Sequence, residues 1–150
     1  HMTESAPGIR IRQLDELDIS AIVTIDEKIS GRYRPEVWER QIGYYIRRAP
    51  ETSVVAEVDG KVAGFMLGEV RSHEFGLEEP TGWIEVLGVD PDQRGKALGR
   101  RMAEAVLEYF RAQGAHRVRT LVDEERGDIR SFFSSLGFEP STLRPFVKNL

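Results

Sequence analysis

Val89-Asp90-Pro91-Asp92-Gln93-Arg94-Gly95-Lys96-Ala97-Leu98-Gly99-Arg100 is the stretch of the 150-residue chain that decides its fold. Residues 83–89, which lead into it, form an apolar run that is typical of a buried strand. Apolar residues then recur at helical spacing: Leu98, Met102, Val106 and Phe110. Gly114 ends this second pattern, since glycine commonly follows the last residue of a helix. The stretch therefore predicts a strand that leads through a basic turn directly into an amphipathic helix.

The chemistry of this turn suits a pyrophosphate group. Small residues at Gly95, Ala97 and Gly99 allow a ligand to approach the backbone closely. The first turn of the following helix leaves N–H groups unpaired and carries the positive end of the helix dipole. Three basic side chains add formal positive charge at the same place: Arg94, Lys96 and Arg100. Neither the Walker pattern nor the Rossmann glycine pattern fits the turn, so the common nucleotide-binding loops are excluded.

Length and composition predict one globular domain. Apolar residues make up 40% of the chain and charged residues 31%, a mixture that fits neither disorder nor a membrane protein. His1-Met2 is interpreted as the remnant of a cloning tag, and residues 1–8 as a flexible N-terminus. The predicted domain therefore spans residues 9–150. Neither a signal peptide nor an apolar run of about 20 residues is visible, which predicts a cytoplasmic protein without a membrane span.

Charge and residue usage exclude several classes of function. The net charge of −4 argues against a nucleic-acid-binding protein, which normally carries an excess of basic residues. The absence of cysteine excludes disulfides, thiolate metal sites and cysteine nucleophiles. His73 and His116 have no partner at the spacing of metal ligands, so we predict no metal.

The rest of the chain predicts an α/β domain with the element order β-α-α-β-β-β-α-β-α-β(β). Its mixed sheet has about six or seven strands and is antiparallel in its first half. The predicted strands are a short one from Ile9, a hairpin of 52–58 and 61–70 around Asp59-Gly60, then 83–89, 118–122 and one or two within 138–150. The predicted helices are one that Asp15 caps, one from Pro35 to Pro50, the helix after the basic turn and one from Asp128 to Leu136.

The basic turn closely resembles the acetyl-CoA motif of the GNAT superfamily of N-acetyltransferases, R/Q-x-x-G/A-x-G/A. Arg94, Ala97 and Gly99 occupy its defined positions. The resemblance extends to the two N-terminal helices, the hairpin, the strand before the turn and the late Leu136-Gly137-Phe138. It implies a single GNAT-like domain and a reaction that moves an acetyl group from acetyl-CoA to a primary amine by direct attack.

The resemblance also implies where acetyl-CoA would bind. The backbone of Leu87-Gly88-Val89 would pair with the pantetheine arm in the manner of an added strand. An N–H group near Leu87 would then stabilise the oxyanion that develops on the thioester. The pyrophosphate would be held by the N–H groups of the turn, which belong to Arg94, Gly95, Lys96, Ala97, Leu98, Gly99 and Arg100.

Glu85 is the candidate general base, because an acceptor amine arrives mostly protonated and must lose a proton before it attacks. A carboxylate within the apolar strand 83–89 calls for a reason, and several GNAT enzymes carry an acidic residue four positions before the end of this strand. The competing interpretation is a glutamate on a solvated or ion-paired side of the sheet. Weaker alternatives for the base follow the next strand: Asp123, Glu124 and Glu125.

Phe133 stands where the family often has the tyrosine that protonates the departing thiolate, and Arg126 replaces a frequent asparagine. Release of a thiolate of ordinary acidity at pH 7 costs roughly 2 kcal/mol, so this departure does not exclude transfer. Phe133 is then interpreted as a core residue or one that packs on the pantetheine arm. The same departure motivates the alternative of a non-catalytic acyl-CoA-binding sensor or regulatory module.

The sequence leaves the acceptor open between a protein N-terminus or lysine, which we favour slightly, and a small amine. By resemblance, acceptors bind near residues 31–34 and 72–80. Arg32 and Arg34 would select a carboxylate or an acidic peptide, whereas acidic side chains would attract a cation: Glu74, Glu78 and Glu79. Each of these charges also fits an ordinary solvated loop. Exposed sheet edges near the C-terminus suggest a homodimer, by family analogy alone.

Overall fold

The structure is a computed structural model and describes residues 3–6, 8–72, 76 and 79–150. Its strands are β1 (Thr3–Ala6), β2 (Ile9–Gln13), β3 (Val54–Val58), β4 (Lys61–Arg71), β5 (Thr81–Val89) and β6 (Arg117–Thr120). Its helices are α1 (Ile19–Ser30), α2 (Pro35–Arg48), α3 (Leu98–Ala112) and α4 (Gly127–Ser135). Residues 1–120 and 121–150 form two compact units, and the sheet belongs to the first of them.

The strands form one mixed sheet in the order β1-β2-β3-β4-β5-β6. Neighbours pair antiparallel except for β5 and β6, which are parallel and are joined through α3. The predicted α/β class and mixed sheet are confirmed, and six strands is the lower of the two predicted numbers. Thr3–Ala6, which the sequence pattern left outside the predicted domain, forms β1 against β2.

Strand β4 lies between two helical layers. Successive side chains of a strand point to opposite faces, so β4 can contact a helix on each side. Phe65 faces α2, where its ring meets that of Trp38 edge to face at 5.3 Å. Gly64 faces α3, since a β-carbon at this position would lie 2.9 Å from the Met102 side chain. A cluster of buried side chains lies on the α1 and α2 face and includes Ile22, Trp38, Ile42, Tyr45, Val55, Phe65 and Leu67.

The start of the first helix differs from the prediction. Asp15 does cap a helical turn, and its side chain accepts a hydrogen bond from the Leu17 N–H at 2.8 Å. That turn is a short 3-10 helix, Glu16–Asp18, and α1 begins only at Ile19. Leu17 lies in this turn and is 85% exposed.

The C-terminal elements, in the unit of residues 121–150, differ from the prediction. Helix α4 begins at Gly127 with Arg126 at the capping position, so Asp128, where the helix was predicted to begin, lies inside it. The one or two strands predicted within 138–150 are wrong, since this segment contains no strand. Pro140 and Pro145 divide it into pieces and remove N–H donors that a ladder would need. Residues 139–150 are exposed instead, Phe146 by 97%, whereas Phe138 is half-buried.

Candidate functional site

The basic turn between β5 and α3 leaves helix N–H groups available to a ligand. Gly95 and Ala97 both adopt left-handed backbone conformations, with φ of 85° and 57°, which turn the chain into the helix. Ala97 occupies the capping position of α3, where no side chain accepts a hydrogen bond from the first turn. Residues 94–97 are exposed. The N–H groups at the start of α3 therefore keep their capacity to bind an anion.

An ion-pair cluster ties the entry of this turn to α1. The Asp90 carboxylate accepts a hydrogen bond from the Asp92 N–H at 2.9 Å, and the Asp90 N–H donates to the Ala63 carbonyl at 2.8 Å. The Lys28 ammonium lies 3.1 Å from the carboxylates of both Asp90 and Asp92. These hydrogen bonds raise the pKa of Lys28. Lys28 thus offsets part of the negative charge next to the turn. Arg94 and Lys96 are exposed beside it.

Strand β5 contains a β-bulge at Glu85. Leu67 of β4 is opposite Val86 and Gly68 is opposite Ile84, so Glu85 has no partner in this register. A β-carbon at Gly82 would meet Phe110 of α3, whereas one at Gly88 would meet Phe65 on the α2 face. Two positions six apart share a face in a regular strand, so the extra residue reverses the alternation. The bulge is therefore the point at which β5 turns the residues before the basic turn onto the other face.

The pairing of β5 with β6 ends beside the same bulge. The parallel ladder runs from Thr81 opposite Arg117 to Ile84 opposite Thr120. There the Thr120 hydroxyl donates to the Ile84 carbonyl at 2.9 Å. Within the described chain, residues 85–89 have no strand partner on the β6 side. This free edge can accept an extended chain of amides by strand addition.

A cavity of about 480 Å³ opens on the α2 face at the bulge. Its lining comes from α2, β4 and β5 and consists of Val37, Arg40, Gln41, Tyr44, Tyr45, Glu69, Arg71 and Glu85. Burial raises the pKa of Tyr45, and the hydrogen bond to Glu69 is the main cause that raises the pKa of Tyr44. Both tyrosines therefore keep their hydroxyl protons at neutral pH and can act as donors.

Two carboxylates share one guanidinium in the wall of this cavity. Arg71 Nη2 lies 3.0 Å from Glu69 and also contacts Glu85. The Tyr44 hydroxyl donates to the Glu69 carboxylate at 2.9 Å. The Arg71 guanidinium lies 5.0 Å from the centre of the Trp83 ring, within the range of a cation–π contact. The Glu69 side chain is 11% exposed and that of Glu85 is 32% exposed, so Glu85 is the carboxylate that a solute can reach.

Glu85 is ion-paired and also lines a cavity. Its position is therefore compatible with both interpretations that the sequence left open, a general base and an ion-paired glutamate of the sheet. The weaker candidates lie in an exposed turn, where Asp123 accepts a hydrogen bond from the Glu125 N–H at 2.9 Å. Phe133 is buried in the unit of residues 121–150, where its ring meets those of Phe132 and Phe138 at 5.1 Å. Its predicted contact with the pantetheine arm stays a prediction.

The predicted acceptor residues have mixed outcomes. Arg34 binds Asp26 through hydrogen bonds of 2.8 and 2.9 Å, which engages it within the fold. This pair lowers the pKa of Asp26. Arg32 is exposed in the loop between α1 and α2, and Glu79 is exposed as well. Glu74 and Glu78 lie outside the described residues.

Sequence reasoning missed the partners of Glu85, although signals for two of the lining residues were present. Glu69 is a carboxylate within an apolar strand, which is the same signal that identified Glu85. Gln41 is the one polar residue in the apolar pattern of its helix, and it lines the cavity. Arg71 and Tyr44 carry no comparable local signal, because their role depends on contacts between β4, β5 and α2.

The described residues contain neither a cluster of three or more potential metal ligands nor a helix long and apolar enough to cross a membrane.

The sequence matches the model of the acetyltransferase (GNAT) family over residues 19–138. A mycothiol acetyltransferase of Thermobispora bispora is 33% identical over 112 residues, which cover 75% of this chain and 35% of the relative. A mycothiol acetyltransferase of Nocardiopsis dassonvillei is 37% identical over 118 residues, which cover 77% of this chain and 33% of the relative. The chain thus spans about a third of the length of these curated relatives.

Solved structures share the fold at low sequence identity. The aminoglycoside N-acetyltransferase AAC(6')-Iy, in complex with CoA, superposes with a TM-score of 0.78 at 18% identity, over 99% of this chain and 95% of that chain. A transcriptional regulator from Bacillus halodurans superposes with a TM-score of 0.79 at 18% identity, over 95% of this chain and 99% of that chain.

Proposed function

The chain belongs to the acetyltransferase (GNAT) family, and we propose that it transfers the acetyl group of acetyl-CoA to the nitrogen of a primary amine. The observation that carries this proposal is the bulge of β5. It places Glu85 in the wall of a cavity, while the same strand continues for four residues as a free edge to the basic turn. Acceptor, thioester and pyrophosphate would therefore lie along one strand.

The donor would bind along this edge and the turn. The amides of the pantetheine arm can hydrogen-bond to the free edge of Leu87-Gly88-Val89, as the sequence predicted. The N–H groups of residues 94–100 and the first turn of α3 favour the pyrophosphate. Arg94 and Lys96 are exposed beside this turn and add positive charge. The left-handed conformations of Gly95 and Ala97 support this assignment, because they turn the backbone so that the chain enters α3 with its N–H groups uncapped.

The reaction removes two protons from the acceptor nitrogen and exchanges one bond at the acetyl carbon. Glu85 takes a proton from the ammonium of the acceptor, directly or through water, and the free amine then attacks the thioester carbonyl carbon. The carbonyl oxygen becomes an oxyanion, which a backbone N–H near Leu87 would stabilise. The carbon–sulfur bond then breaks, so that the acetyl group stays on nitrogen and CoA leaves as a thiolate. The attacking nitrogen loses its second proton to solvent.

Phe133 cannot protonate the thiolate, so we propose that the thiolate leaves unprotonated or takes a proton from water. The cost is roughly 2 kcal/mol for a thiol of ordinary acidity at pH 7. Enzymes typically lower the barrier by about 8 kcal/mol or more, so this cost is compatible with transfer.

The acceptor proposed is a small polar amine rather than the protein amine that the sequence slightly favoured. The cavity of about 480 Å³ has the size of a small-molecule site. The relatives named above are a mycothiol acetyltransferase and, among structures, an aminoglycoside N-acetyltransferase. Most of the cavity lining can hydrogen-bond, which suits an acceptor with several polar groups.

Turnover with Glu85→Gln tests the proposal against the alternative of a non-catalytic acyl-CoA sensor. Purified protein is incubated with acetyl-CoA and a panel of amino sugars, polyamines, amino acids and peptides, and free CoA is measured. We expect turnover by the wild type and a loss of about 100-fold or more in kcat/KM for Glu85→Gln, while CoA affinity stays unchanged.

Glu108→Gln is the matched control, because Glu108 is exposed on α3 and pairs with Arg111 at the surface. Tight CoA binding without turnover of any amine would favour the sensor. Turnover that is equal in Glu85→Gln and wild type would remove Glu85 from the mechanism.

A further inference from the structure

We propose that Arg71 is a positioning residue that keeps the Glu85 carboxylate ionised and directed into the acceptor cavity. This inference rests on the proposed function, in which Glu85 is the base. It concerns a residue for which the acetyl-CoA motif gives no role. Arg71 is the last residue of β4 and contacts Glu85 across the strand pair.

Arg71 is itself held on more than one side. Its guanidinium donates to Glu69 through Nε at 3.3 Å and Nη2 at 3.0 Å, and it lies over the Trp83 ring. Glu69 is fixed in turn by the Tyr44 hydroxyl of α2. A cation with this many contacts has a defined position, so its contact with Glu85 fixes the bulged side chain as well.

The need for such a cation follows from the second carboxylate. Glu69 and Glu85 both contact Arg71 Nη2, so their carboxylates are near neighbours. Two close carboxylates without a cation oppose each other's ionisation, whereas an opposite charge favours it. A base must start unprotonated, so a site with Glu69 and Glu85 but without Arg71 would lose active enzyme as the pH falls.

Other charged or titratable groups also lie near this contact. Among the described residues, those that share the cavity are Arg40, Tyr44 and Tyr45 of α2. Both tyrosines stay neutral near pH 7, as described above. Arg40 is an exposed side chain on α2. On β6, Arg119 pairs with Trp83 of β5. Trp83 precedes Glu85 by two positions in the same strand. Arg71 is the cation whose contact with Glu85 the structure describes.

The pH profile of kcat/KM tests the proposal with three variants of the cluster. In Arg71→Met we expect the acidic limb to move up by about 1 pH unit, with about tenfold lower kcat/KM below the limb and convergence toward wild type above it. Arg71→Lys keeps the charge and should restore most of the limb. Glu69→Gln removes the like charge and should move the limb down. Arg111→Met, at a surface ion pair on α3, is the matched control that should leave the profile unchanged.

A uniform loss at every pH in Arg71→Met, or a limb that stays in place in both Arg71→Met and Glu69→Gln, would overturn the proposal. The opposite shifts expected for these variants keep it testable if one of them fails to fold.

A second measurement does not depend on turnover. Glutamate carboxylates are labelled with carbon-13, and the Glu85 signal is identified by its loss in Glu85→Gln. Its titration midpoint should lie about 1 pH unit higher in Arg71→Met than in wild type. An unchanged midpoint refutes the inference about Arg71, whereas a shifted midpoint in a protein without turnover refutes only the proposed function.

Discussion

Gly88→Ala should destabilise the protein through a clash that the structure defines. A β-carbon at this position would lie 2.6 and 2.7 Å from two carbons of the Phe65 ring. Ordinary carbon contacts are about 3.5–4.0 Å, so the ring or the strand must move. Phe65 is 2% exposed and packs edge to face on Trp38, which is 5% exposed. Both rings are therefore buried, and overpacking of a core typically costs about 1–3 kcal/mol.

Thermal unfolding followed by circular dichroism measures this effect. For a chain of this length 1 kcal/mol corresponds to about 2–4 °C, so Tm should fall by about 2–12 °C. Gly43→Ala is the matched control, since Gly43 lies inside α2 and its nearest obstacle is the flexible end of Arg47 at 3.2 Å. That variant should gain up to about 1 kcal/mol, because alanine favours the helix. A Tm for Gly88→Ala at or above wild type would refute the packing argument.

Two other predictions concern the turn and the Asp26–Arg34 pair. Ala97→Gly should raise the free energy of unfolding, measured in urea, by up to about 1 kcal/mol. The reason is that relief of the left-handed backbone strain outweighs the extra conformational entropy of glycine in the unfolded chain. A loss of stability would contradict this. Asp26→Asn should cost about 1–3 kcal/mol at pH 7. Because Arg34 lowers the pKa of folded Asp26, this stabilisation is complete above the unfolded value of about 3.9 and is lost as the pH falls through the folded one. A difference between variant and wild type that persists unchanged to about pH 2 would contradict the sign.

The basic turn was predictable because its signals are local in the sequence. The residues that make it basic, small and helix-initiating follow one another between Arg94 and Arg100, so no long-range contact is needed to recognise them. The hairpin at Asp59-Gly60 is a similar case, and both residues have the positive φ that this dipeptide favours, 51° and 82°. Local conformational preference decides such elements, and the sequence carries that preference directly.

The bulge and the cluster around Glu85 were not predictable, because contacts between distant segments create them. The apolar run of β5 predicts a strand, but it does not show where the register with β4 shifts. Tyr44 and Glu69 are 25 residues apart in sequence and meet only when α2 packs on β4. The strands predicted within 138–150 are the reverse case, since they were expected but did not form. The segment has apolar residues, but its prolines cannot donate the hydrogen bonds of a regular ladder.

The end of the β5–β6 ladder at Ile84 has a consequence for handling the protein at high concentration. An unpaired strand edge is a template on which another polypeptide can add, and this one lies inside a sheet beside a cavity. A CoA molecule whose pantetheine arm adds to the edge would cover the N–H and carbonyl groups of that edge. We therefore expect CoA to slow self-association during storage and heating, an effect that light scattering would detect without any measurement of catalysis.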